Sequence, residues 1–401
     1  MNAPAKSAGR QLAALFFARV VLNTAYRIVY PFLPAIARGL DVSIASASQL
    51  VSLRLLPGLA APWLGALGDR LGRRRMIEPA LLLATVAGLL IASVGTTWAV
   101  AAALVMYGFS KVLFDPSLHA FLGDTVPYAK RARAIGIVEL SWSGAWLLGV
   151  PTSGYLIQHL GWRSPWAALG VLGLGCLFLA HWILPGARDG RSAPGPADGR
   201  PASPSRHAML RRPGVVPMLA TGMLLTFAIE LPFIVYGAWL EQAFGLSLTS
   251  LGLASIVLGI AEAVSELATT FVTDRLGKRR SILAGLLCLS GALVLLPSMA
   301  GLGLVAAMSG MVLVVLAFEF TIVSLIPLAT EIAPDARASF LSINVTAMLL
   351  GRMAGSFAGG WLWDRQVGGI SLHAYAGAAA SLLAFWALLL GVKEISTRAH
   401  S

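Results

Sequence analysis

Charge is scarce in this sequence: Asp, Glu, Lys and Arg make up 12% of its 401 residues, against 57% apolar residues. That is too little polar surface to cover a water-soluble protein of this length. Cysteine is nearly absent too, and Cys176 and Cys288 both fall inside apolar runs. They exclude a disulfide framework and a thiolate metal site, and read as small buried or lipid-facing residues. The histidines His119, His159, His181, His207, His373 and His400 show no paired metal-ligand spacing. No glycine-rich loop ends in Lys-Ser or Lys-Thr, which argues against direct coupling to ATP. No nucleophile–base or metal cluster marks an intramembrane enzyme, so neither enzymatic activity nor a metal or other cofactor is expected.

What the sequence has in abundance is long apolar runs. A bilayer core of roughly 30 Å is crossed by about 20 apolar residues in a helix, and open sheets cannot cross it. Twelve such spans fit, near 13–36, 45–67, 77–97, 99–124, 134–159, 164–184, 215–241, 249–273, 281–300, 302–331, 338–364 and 372–392. The run after Lys6 and Arg10, followed by Ala35-Ile36-Ala37, also admits a signal-peptide reading, but Arg19, Asn23 and Arg27 interrupt its apolar core. The formal net charge of +12 suggests a nucleic-acid partner only if its position is ignored. With these spans, 22 of the 30 Lys and Arg fall on one side, five fall within spans, and Arg38, Arg163 and Arg365 fall on the other side. The side rich in bases is cytoplasmic, so both termini are expected there, in the inner (plasma) membrane, with the lipid bilayer and no nucleic acid as partner.

The sequence also repeats. The segment Gly65-Ala-Leu-Gly-Asp69-Arg70-Leu-Gly72-Arg73-Arg74-Arg75 follows the second span, and Phe271-Val-Thr-Asp274-Arg275-Leu-Gly277-Lys278-Arg279-Arg280 follows the eighth, with Asp69 and Asp274 205 residues apart (274 − 69). The same offset relates Gly154 to Gly359, and Pro127 has a counterpart at Pro334. The chain therefore reads as all-α integral membrane protein, 12 transmembrane helices in two pseudo-symmetric six-helix bundles. The bundles are expected over 1–184 and 215–401. Residues 185–214, rich in Pro, Gly, Ala, Ser and Arg, read as a flexible cytoplasmic linker, either a plain tether or a regulatory or lipid-headgroup site.

These residues resemble the major facilitator superfamily over essentially the whole chain. The loop Gly65 to Arg75, its weaker copy after the eighth span, and Gly161-Trp162-Arg163 opening the sixth are similar to that family's motifs in their usual places. Gly65 and Gly72 permit close helix approach and a tight turn, while Asp69 suits the positive N-terminus of another helix. The resemblance implies that this helix is the eleventh, and that Asp274 faces the fifth by pseudo-symmetry. Gly65, Asp69, Arg70, Gly72, Arg73, Asp274, Arg275 and Gly277 would then latch the cytoplasmic side, while the arginines also set topology. Pro31-x-x-Pro34 and Gly149-Val-Pro151-x-x-Gly154 are similar to motifs of drug:proton antiporters, and they serve helix kinking and packing equally well. One feature departs from that pattern: Leu104 stands four residues before Gly108 where the antiporters carry Arg, with Lys111 one turn further along.

A charge at mid-bilayer costs about 2.5–3.5 kcal/mol or more, so it needs a partner, a cavity or a function. The spans hold Arg19, Arg27, Arg54, Lys111, Asp115 and Glu139 in the first half and Glu230, Glu262, Glu266, Glu319 and Arg352 in the second. The third, sixth, ninth and twelfth spans hold none centrally, as expected if every third helix faces lipid. Glu262 and Glu266, spaced i,i+4, either titrate as a coupled pair that carries a proton or are neutralised by Arg352 or Arg54. Asp115 and Glu230 are further proton-coupling candidates, although Lys111 and Asp115 at i,i+4 first suggest an internal ion pair. Arg27, with Asn23, Tyr26 and Tyr30 nearby, suits an anionic or hydroxylated solute, and Glu230 and Glu319 suit a cationic one. Arg54, Lys111 and Arg352 complete the cavity candidates, and His119 is the one histidine placed for a relay.

The leading expectation is a secondary carrier that moves a small-molecule solute by alternating access, a proton-coupled drug or metabolite exporter driven by the proton gradient. A sugar or organic-acid transporter, importer or facilitator, and a sensor without flux remain open. By analogy with the family the protein is a monomer.

Overall fold

The computed structural model describes residues 3–61, 63–64, 71–184, 210–333, 336–366 and 368–392, and the regular elements among them are helices. Gly65, Asp69, Arg70, Pro334 and linker residues 185–209 lie outside the described residues. The helices of the N-terminal part are α1 (Ala3–Arg27), α2 (Leu33–Leu40), α3 (Ile44–Leu53), α4 (Arg74–Ser93), α5 (Thr97–Thr125), α6 (Tyr128–Gly144), α7 (Val150–Leu160) and α8 (Ser164–Ile183). Those of the C-terminal part are α9 (Val215–Phe244), α10 (Leu248–Leu276), α11 (Lys278–Gly301), α12 (Leu304–Ile332), α13 (Arg337–Asp364) and α14 (Gly369–Gly391).

Among the described residues ten helices are long and apolar enough to cross a membrane, and they coincide with the third to twelfth expected spans. A further crossing is counted only if Leu33–Leu40 and Ile44–Ala60, bent by 106°, are taken together.

The first expected span, 13–36, is not one continuous helix. The helix stops at Arg27, residues 28–32 form turns, and α2 resumes to Leu40. Pro31 has no N–H to give the Arg27 carbonyl, which receives Tyr30 N instead at 3.2 Å. Pro34 then sits in the first turn of α2, where a missing N–H costs nothing. Pro151 acts in a related way. Between α6 and α7 the rod widens into one π turn, Ala145–Gly149, just before this proline. A π turn is a usual answer to a break in the i→i−4 ladder.

Two compact units emerge, Met1–Asp198 with Leu246–Gly259, and Gly199–Gly245 with Ile260–Ser401. In the first, α4 packs on α5 and α8, and α1 packs on α6 and α8. In the second, α11 packs on α12 and α14, and α9 packs on α13 and α14. These are the same pairings, taken from the matching places in the repeat. Gly72 and Gly277 extend the parallel, with φ of 89° and 86° at positions 205 residues apart (277 − 72). Only glycine adopts such a backbone without strain. Each is followed by a base that meets an acid late in a neighbouring helix: Arg73 Nε lies 3.1 Å from Asp124 Oδ2, and Lys278 Nζ contacts Glu331 Oε1.

Candidate functional site

Among the described residues, a dense polar cluster within the expected spans belongs to the first unit. Arg19 of α1 is 3% exposed and uses three contacts. Its Nε lies 3.2 Å from Asp115 Oδ1 on α5, its Nη1 lies 2.9 Å from Glu139 Oε1 on α6, and Nη1 also donates to the Val138 carbonyl at 3.0 Å. The pair expected from the i,i+4 spacing forms, with Lys111 Nζ 2.8 Å from Asp115 Oδ2. Lys111 also donates to Asn23 Oδ1, and Asn23 Nδ2 donates to Ser141 Oγ at 3.1 Å. His119 Nε2 stands 3.1 Å from Glu139 Oε1. Two acids, two bases and one imidazole thus tie α1, α5 and α6 together. In a medium of low dielectric such pairs are held strongly, and changing the charge of one member disturbs the others.

Trp142 carries the aromatic side of this cluster. Its ring lies 4.2 Å from Lys111 Nζ, 4.8 Å from the Arg27 guanidinium carbon and 6.0 Å from that of Arg19. Trp146, one turn on, lies 4.7 Å from Arg27. Arg54 has its own pair of rings, Tyr26 at 5.0 Å and Tyr30 at 4.8 Å, and its Nη1 donates to the Tyr26 carbonyl at 2.6 Å. Tyr26 and Tyr30 therefore bracket Arg54, where the sequence grouped them with Arg27. The reason is helical geometry: neighbours at i and i+1 do not share a face, and the break after Arg27 turns Tyr30 away from the α1 register.

Neither Trp142 nor Trp146 is recoverable from a search for charges. The available signal was their i,i+4 spacing one turn after Glu139, on a span already carrying an acid.

In the second unit the centre is Glu230 of α9, fully buried at 0% exposure. Its Oε2 lies 3.2 Å from Arg352 Nη1 on α13, and Ser356 Oγ donates to Oε1 at 2.7 Å. Glu262 is buried and Glu266 half-buried on α10, and Glu319 is half-buried on α12. Of the expected latch residues, Gly72 and Arg73 open α4, and Arg275 is exposed beside Gly277. The side chain of Asp274 lies outside the described residues.

The Gly149-Val-Pro151-x-x-Gly154 segment makes a close helix contact within the first unit. A Cβ on Gly154 would come within 2.6 Å of the Leu248 carbonyl and 3.0 Å of Phe32 Cζ. Glycine is required there for the backbones to approach, as at small-residue interfaces in membranes generally.

Residues 15–356 and 218–400 match the sequence profile of the Major Facilitator Superfamily. Among curated relatives, the uncharacterized MFS-type transporter YceJ of Bacillus subtilis (strain 168) is 24% identical over 352 residues, 87% of this chain and 88% of that one. The tetracycline resistance protein, class C, of Escherichia coli is 28% identical over 266 residues, 65% of this chain and 66% of that one. Among solved structures, a D-xylose-proton symporter aligns with a TM-score of 0.75 at 16% identity, covering 96% of this chain and 98% of that one, a likeness of fold.

Proposed function

The chain belongs to the Major Facilitator Superfamily as a multi-pass membrane transporter and not an enzyme, and on that premise we propose that it is a proton-coupled exporter of a small solute. The observation that carries this reading is the ion network of Arg19, Asp115, Lys111, Glu139 and His119. It sets five titratable groups on three helices within hydrogen-bond reach of one another. Protonating one carboxylate releases a cation, which can then meet the solute or reorient its helix; this is the physical requirement for coupling a proton to a carrier step. The export direction draws on the likeness to the tetracycline resistance protein and on the resemblance of Gly149-Val-Pro151-x-x-Gly154 to a motif of drug:proton antiporters.

In this account the protein works by alternating access, the Gly65 to Arg75 loop and its copy at Asp274 to Gly277 latch the cytoplasmic side, and the coupling proton is carried by Glu262 with Glu266, with Asp115 of the network and Glu230 as the further candidates. The protein works as a monomer in the inner membrane with both termini in the cytoplasm.

The test uses purified protein in liposomes with an imposed pH gradient, an internal pH dye and a panel of cationic, anionic and neutral solutes. Solute-dependent proton movement is expected in the wild type and is expected to vanish in the Glu262→Gln/Glu266→Gln variant. Solute flux without proton movement sinks the coupling, and proton movement unchanged in the double variant moves it off α10.

A further inference from the structure

The charges of the first unit do not balance. At membrane depth its helices carry Arg19, Arg27, Arg54 and Lys111 against Asp115 and Glu139, a surplus of two (4 − 2). Both acids are engaged by Arg19, and Asp115 by Lys111 as well. Arg54 is left with no carboxylate among the described residues, although it is only 2% exposed.

What holds Arg54 in place is backbone and ring. Its Nη1 bonds the Tyr26 carbonyl at 2.6 Å, at the C-terminal end of α1, where the helix break leaves carbonyls without amide partners. Such an end carries about half a negative charge, enough to offset part of a cation and not all of it. The faces of Tyr26 and Tyr30 lie 5.0 and 4.8 Å from its guanidinium carbon. The buried Nε meets no acceptor. A guanidinium with Nη1 occupied and Nε without an acceptor keeps donor capacity of the kind that pairs with a carboxylate, sulfonate or phosphate. Lys111 touches the same Tyr26 ring at 5.9 Å, so the cationic surface continues from Arg54 toward Trp142.

We infer that Arg54, caged by Tyr26 and Tyr30, is the subsite for an anionic group borne on a flat apolar body. The anion supplies the counter-charge that Arg54 lacks among the described residues, and the neighbouring rings receive the apolar part. This deepens the carrier reading and rests on it, since it names the class of solute.

The experiment measures binding of three probes that share one ring system and differ in charge, namely 2-naphthoate, 2-naphthamide and 2-naphthylmethylammonium. Equilibrium dialysis is run against the purified wild type, Arg54→Gln and Arg54→Lys. The wild type is expected to bind naphthoate at least tenfold more tightly than the amide and more tightly still than the ammonium. Arg54→Gln is expected to lose that preference while holding the amide within twofold, and Arg54→Lys to keep part of it. Equal or tighter binding of the amide or the ammonium overturns the assignment, as does absence of binding by all three, or naphthoate binding unchanged in Arg54→Gln. The wild-type comparison decides the matter even if a variant fails to fold. Liposome flux of the same probes separates the two claims. Flux without anion preference removes the subsite and leaves the carrier, while anion binding without flux of any solute removes the carrier and leaves the subsite.

Discussion

Replacing Arg19 by Gln is expected to abolish transport and to lower the stability of the first unit by about 3–5 kcal/mol, the usual cost of removing one partner from a buried ion pair. The size follows from what Arg19 holds. Its side chain is 4% exposed, and it joins two carboxylates from different helices and one carbonyl. Without it Asp115 keeps Lys111, Glu139 keeps its contact with His119, and α1 loses its ion pair to α6, leaving the Asn23–Ser141 hydrogen bond between them. Arg19→Lys is expected to fall between, because a compact ammonium cannot span acceptors on two helices as a planar fork does. Thermal unfolding in detergent and flux in liposomes check both. An Arg19→Gln protein as stable as wild type would show that the network is not what joins these helices.

The second large effect concerns Glu230 and Arg352, and it is asymmetric. Glu230 is fully buried, whereas the Arg352 side chain is 30% exposed. Arg352→Gln takes a guanidinium from an enclosed carboxylate that water cannot reach. Glu230→Gln leaves a guanidinium that water can reach, and keeps a side chain that can accept from Ser356. Arg352→Gln is therefore expected to cost about 3–5 kcal/mol and Glu230→Gln about 1–3 kcal/mol. Both should reduce flux at least tenfold. Equal losses of stability in the two variants would contradict the burial argument, and wild-type flux in both would remove the pair from the transport cycle.

The sequence made the membrane class, the helical character, the repeat and the third to twelfth spans legible, because twenty-residue apolar runs and a 205-residue offset are long-range signals that no local interaction disguises. It also placed Lys111 and Asp115 together, since their spacing on one helix face leaves little else for them to do. The first span was less legible. Arg19 and Arg27 dilute its apolar run, and Pro31 breaks it at a point that composition alone does not mark as a turn.

Partners across helices were not legible at all. That Arg19 bridges Asp115 and Glu139, that Tyr26 and Tyr30 close around Arg54, and that Ser356 completes Glu230 all depend on helix rotation and depth. A single sequence fixes neither. The aromatic contribution escaped for another reason: Trp142 and Trp146 are apolar by count and polar by use, offering ring faces to cations.

The most direct test of the central claim, that this protein is a carrier working by alternating access, is solute counterflow in proteoliposomes. Vesicles loaded with unlabelled solute are diluted into a trace of the labelled form, with no pH gradient. The account predicts transient uphill accumulation of label that depends on the solute inside and is absent in Arg19→Gln. Solute binding with no exchange of label, in vesicles where the protein is folded, would contradict it and leave a binding protein with a carrier's fold.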